Sequence, residues 1–118
     1  MTLIEDIANA LTSAGYSNII AYHFDHTPDD QICIAPGGGT ITQTFSGEDV
    51  EYPKVQILVR HTDLRVAESR IFAIRDLLHT NTNVSNTVIV QWDGRYPTHW
   101  TDENGLHVFE VEFTVVKV

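Results

Sequence analysis

The stretch Tyr52-Pro53-Lys54-Val55-Gln56-Ile57-Leu58-Val59-Arg60-His61 runs almost directly into Leu64–His79, and these two pieces decide the fold. In the first piece Val55, Ile57 and Val59 alternate with Lys54, Gln56 and Arg60, the period-two pattern of a half-buried strand. In the second, Leu64, Ala67, Ile71, Ile74 and Leu78 recur every three or four residues, which makes one apolar stripe on a helix. Thr62 or Asp63 is placed to cap the start of that helix, and Asn81 or Asn83 to close its end. A strand feeding an amphipathic helix predicts a packed core of both element types.

Upstream, Ile4, Ile7, Ala8 and Leu11 form a second helical stripe over about residues 3–14, with Thr2 and Glu5 spaced as a capping box and Gly15 as a left-handed stop. Ile19–Phe24 and Gln31–Ala35 read as two short strands. The turn-rich connector Asp25-His26-Thr27-Pro28-Asp29-Asp30 between them predicts a hairpin. Residues 37–52 begin with three glycines and continue through a Thr-rich run; they are expected as an extended loop leaving the body. Downstream, Thr87–Trp92 and Leu106–Val118 alternate as strands, the latter placing Phe109, Val111, Phe113 and Val115 on one face. The expected fold is therefore α+β: a single domain over residues 1–118, with a mostly antiparallel sheet of about five strands and two helices on one face. The order is α-β-β-β-α-β-β, with no internal repeat.

Bulk composition narrows the function. The 118 residues, 42% hydrophobic with two Trp, five Phe and four Tyr, suffice for one core. A net charge of −9 with only seven Lys and Arg speaks against sequence-independent nucleic-acid binding, which depends on cations that neutralise phosphates. Cys33 is the one cysteine and lies among Ile32, Ile34 and Ala35, so an inert buried thiol is expected and an intramolecular disulfide is impossible. No run approaches the roughly 20 apolar residues of a membrane span, and the N-terminus lacks the pattern of a signal peptide. The expectation is a soluble chain made in a reducing compartment.

Catalytic and cofactor chemistry find little foothold. His23-Phe24-Asp25-His26 has imidazoles and a carboxylate, but its spacing matches no closed metal site, and a solvated turn is the simpler reading. Pro36-Gly37-Gly38-Gly39 is followed by neither the lysine nor the helix of a phosphate-binding loop, so it reads as a flexible hinge. Glu110 and Glu112 share a strand face, as alternation alone requires. No enzyme, metal or cofactor is expected. A small-ligand-binding module using Trp92, Tyr96, His99 and Trp100 in the 92–100 loop is the alternative from a different class, although aromatics of this kind more simply plug a core. A small hydrolase has no specific residue in its favour. Two helices leave one sheet face uncovered, and a mixed apolar and polar face suits a subunit contact.

Pro36-Gly37-Gly38 after the second strand, Tyr52-Pro53-x-Val55-Gln56-Ile57-x-Val59-Arg60, and a helix containing Ala67 and Leu77-Leu78 together resemble a family of small minor capsid proteins. Those belong to tailed phages and prophages of Gram-positive bacteria, and they are similar in element order to the tail terminator proteins of long-tailed phages such as lambda. The resemblance spans most of the chain. It implies a virion protein of the head–tail joining class, assembled in the bacterial host cytoplasm. It further implies a homo-oligomeric ring, a hexamer, that caps the tail-tube protein, docks to the head connector protein and lets DNA through its lumen. Catalytic residues are not part of the pattern. On this reading the residues expected at subunit contacts are Gln56, Leu58 and Arg60 on the strand and Arg65, Glu68 and Arg75 on the helix.

Overall fold

The computed structural model describes residues 3–43, 49–79 and 88–117. In chain order the elements are α1 (Leu3–Ser13), β1 (Ile19–Ala21), β2 (Gln31–Gln43), β3 (Asp49–His61), α2 (Leu64–Leu78), β4 (Val88–Trp92), β5 (Thr98–Thr101) and β6 (His107–Lys117). The strands form one mixed sheet in the order β1-β2-β3-β6-β4, with β5 also pairing to β6. β5 lies opposite residues 107–110 of β6 and β4 opposite residues 113–117, so one edge of the sheet is built from two successive pieces. The chain is α+β, as the alternation and helical spacing predict.

The two helices cover one face of the sheet. Ile7 and Leu11 of α1 and Ala67, Ile71, Ile74 and Leu78 of α2 pack on Ile32, Ile34, Val55, Ile57, Val59, Phe109, Val111, Phe113 and Val115 in one continuous core. Each fully buried aliphatic or Phe side chain contributes about 1.5–3 kcal/mol relative to exposure. The helix ends follow local chemistry. Gly15 takes φ 98°, and the Tyr16 N–H donates to the Leu11 carbonyl while Gly15 N–H donates to Thr12, which satisfies the orphan carbonyls of α1. Asp63 is the cap of α2, its Oδ1 accepting from Arg65 N at 2.8 Å and Val66 N at 3.3 Å. The expected caps Thr2, Asn81 and Asn83 lie outside the described residues.

Three sequence expectations are corrected. First, β1 and β2 are not a hairpin: they pair in parallel, Ile19 opposite Ile32 and Ala21 opposite Ile34. β1 stops at Ala21 because Tyr22 turns to φ 76°, and residues 22–30 then travel back across the sheet before β2 begins. Second, most of residues 37–52 is paired backbone: residues 38–43 of β2 lie antiparallel to residues 49–54 of β3, extending both strands. Residues 44–48 lie outside the described ones. The glycines are not a free hinge; Gly37 is the extra residue of a bulge between Pro36 and Gly38. A Cβ there would sit 3.2 Å from Gln56 Cγ and 3.3 Å from Lys54 Cβ, a close approach that glycine relieves. Third, Thr98–Thr101 adds a sixth strand in the segment between the last two expected strands.

Candidate assembly surface

The sheet face away from the helices carries the even-numbered residues of β3. Leu58 stands between Cys33 of β2 and Glu110 of β6, and Gln56 between Ala35 and Glu112. Gln56 Nε2 donates to Glu112 Oε1 at 3.2 Å. Cys33 is buried, and burial pushes its thiol up to about 11, which makes it a packing residue. Trp100 of β5, opposite Val108, borders this face and is partly exposed. Glu110 is half-buried beside Glu112 and Asp93. Burial first, and repulsion from those two carboxylates second, hold its carboxyl above the usual range.

Arg60 points to this same face yet is only 6% exposed, because the 22–30 segment folds over it. Its guanidinium donates to the carbonyls of Asp25 (2.7 Å), Pro28 (2.7 Å) and Asp29 (3.2 Å), and lies 4.7 Å from the centre of the Phe24 ring. Gln31, likewise buried, completes the brace: its Nε2 donates to the Asp25 and Pro28 carbonyls and its Oε1 accepts from Asp25 N–H. Asp30, at the end of the segment, pairs with Arg70 of α2 and has His61 Nε2 at 4.0 Å. Residues 25–30 read as turn formers in the sequence; nothing local in them signals that a strand arginine about thirty positions later holds them.

The helical side presents the other residues expected at contacts. Arg65 and Glu68 of α2 are exposed, and neither joins an ion pair among the described residues. Arg65 lines an open groove of about 420 Å³ together with Tyr16, Val66, Ser69 and Arg70. Arg75 is engaged within the chain: it binds Asp76 Oδ1 at 3.0 Å and lies 4.7 Å from the centres of both the Phe72 and Trp92 rings. The structure therefore does not gather the six residues into one patch. Gln56 and Leu58 mark one side of the sheet, Arg65 and Glu68 the other, and Arg60 and Arg75 brace the segments beside them.

Of the 92–100 aromatics, Trp92 is half-buried, whereas Tyr96, His99 and Trp100 are exposed. Tyr96 meets Phe72 edge-on at 6.3 Å, and the Trp92 indole N–H donates to the Arg95 carbonyl at 2.8 Å. His99 stacks on His107 and lies 4.6 Å from the Phe109 ring centre. The cleft between this loop and Glu110 and Glu112 holds about 70 Å³, well below the roughly 300–1,000 Å³ of small-molecule sites. Among the described residues no three His, Cys, Asp or Glu side chains come together to hold a metal ion, and His23 and His26 are simply exposed. No helix among them is long and apolar enough to cross a membrane.

Comparison with known proteins agrees with this architecture. A chain in the solved structure of the virion of a native gene transfer agent particle shares the fold, with a TM-score of 0.69 at 10% identity over 94% of this chain and 90% of that one. No curated protein matches the sequence. The family described as bacteriophage tail terminator protein matches residues 4–118, nearly the whole chain. This chain belongs to the bacteriophage tail terminator family.

Proposed function

We propose that this chain is a virion structural protein that ends the phage tail. Copies of it assemble as a ring, a hexamer, on the last layer of the tail tube, stop its growth and present a surface to the head connector. The observation that carries this reading is the family match along residues 4–118. The fold supports it: one sheet face is covered by helices, whereas the other keeps Leu58, Gln56 and Trp100 with no helix over them. A face that mixes apolar and polar groups in this way is suited to a subunit contact. Gln56 and Leu58 on that face, and Arg65 and Glu68 on α2, are the residues we assign to contacts between subunits. Arg60 and Arg75 keep the adjoining segments in place. The role is mechanical and structural, and the protein works inside the particle, assembled from chains made in the host cell.

Net charge fits the same role. At −9 the chain repels DNA, as suits a ring through which DNA passes without being held. The paired extension of β2 and β3 at residues 38–43 and 49–54 is a second candidate point of contact with the tube or connector. The test is to add the purified chain to tail-tube protein as it polymerises and to measure tube lengths by electron microscopy. Shortened tubes bearing a ring of density at one end are expected. A length distribution unchanged by the chain, with bare tube ends, would remove the proposal.

A further inference from the structure

The outer sheet face and the exposed surface of α2 lie on opposite sides of the sheet, and each carries charged side chains that join no ion pair among the described residues. On the outer face, Glu110 and Glu112 stand beside Leu58 and near Asp93. Arg95 lines the same cleft and Lys54 lies along the same strand face, yet neither forms an ion pair among the described residues. On the helical side, Arg65 is exposed and joins no ion pair among the described residues; it lines a groove with Tyr16 and Val66, and Glu68 is exposed one turn further along α2. Charges of both signs on each surface can pair between copies, Arg65 with Glu110 and Glu112 of the next and Glu68 with its Arg95 or Lys54.

We propose that in the assembled ring the outer sheet face of one copy, centred on Leu58, Glu110 and Glu112, docks on the α2 groove of the next, with Arg65 as the counter-ion. This inference rests on the ring reading above and names the surfaces that make it. Because the two patches differ, the contact is head-to-tail. Every copy gives one surface and receives the other, the arrangement that closes into a ring when the rotation between copies permits. Attraction between unlike charges also fixes orientation, since two sheet faces would bring four carboxylates together.

A charge-swap mixing experiment tests it with the full chain. Two variants are made, Arg65→Glu and the double variant Glu110→Arg/Glu112→Arg, and each is checked for a native circular dichroism spectrum. Masses are measured by light scattering in solution and by co-sedimentation on purified tail tubes. Wild type is expected to assemble and each variant alone to fall to the monomer. Mixed one to one, the variants regain the wild-type mass, because acidic grooves meet basic faces alternately around the ring. If a variant fails to fold, Arg65→Gln and Glu112→Gln take its place, and each should weaken assembly at least tenfold in concentration. Variants that assemble as wild type does, or a mixture no better than its parts while wild type forms rings, would overturn this inference and leave the ring standing. A wild-type chain that stays monomeric both free and on tubes would overturn the ring as well.

Discussion

Replacing Arg60 with Ala removes the group that holds residues 22–30 on the sheet. Two of its bonds, at 2.7 Å to the Asp25 and Pro28 carbonyls, are short and made by a charged donor. The third, at 3.2 Å to the Asp29 carbonyl, is longer and lies at an exposed residue, where water replaces it. Hydrogen bonds from charged groups contribute about 1.5–3 kcal/mol each, but Gln31 still donates to both of the former carbonyls, so the low end of that range applies. Loss of the contact with Phe24 adds about 0.5–1 kcal/mol. The sum is about 3–4 kcal/mol, equivalent to a fall in Tm of roughly 10–15 °C for a chain of this size. Urea unfolding of the monomeric protein, read by tryptophan fluorescence, measures it. Arg60→Lys should recover only part of the loss, because an ammonium cannot reproduce the guanidinium fork. An Arg60→Ala protein within 0.5 kcal/mol of wild type would refute the brace and leave Arg60 free for a contact with another copy.

Other perturbations have equally definite outcomes. Gly37→Ala brings a Cβ against Gln56 and Lys54 at the bulge, and thermal unfolding should show a loss of about 1–2 kcal/mol. Glu110→Gln should stabilise the fold at pH 7. Because the native carboxyl binds its proton more tightly than the unfolded one, wild-type stability falls as pH rises from the ordinary Glu value through the raised one, so the benefit of Gln should vanish below about pH 4. Constant benefit across that range would contradict the cause assigned to the shift. Cys33 should resist thiol reagents in the native protein at pH 7–8 and react fully in denaturant; rapid native labelling would show that the outer face opens.

The contrast between Val55–Val59 and the 25–31 segment explains what the sequence could convey. The alternation of Val55, Ile57 and Val59 and the spacing of Ala67, Ile71, Ile74 and Leu78 are local signals of a single buried face, and the core is built from them. Turn residues at 25–30 signal only that the chain changes direction. Whether two flanking strands then run parallel or antiparallel depends on where the segment docks, and that is decided by Gln31 and by Arg60 from a strand remote in sequence. Arg60 shows the same limit from the other side. Alternation gives its face correctly, but burial on that face comes from a loop that alternation does not see. At Gly37–Gln43 the glycines obscured a strand because a bulge and a break look alike in composition. The residues proposed for subunit contacts, Gln56, Leu58, Arg65 and Glu68, were legible as positions off the apolar stripes of strand and helix. Their division between two sides of the sheet follows from the packing of α2 on Val55, Ile57 and Val59, which leaves Gln56 and Leu58 on the opposite face.

Deletion of the gene asks whether this chain ends the phage tail. Electron microscopy of particles from the deletion should show tails of abnormal length and heads without joined tails, with both restored when the wild-type chain is supplied. Intact, infectious virions with tails of normal length would rule that role out.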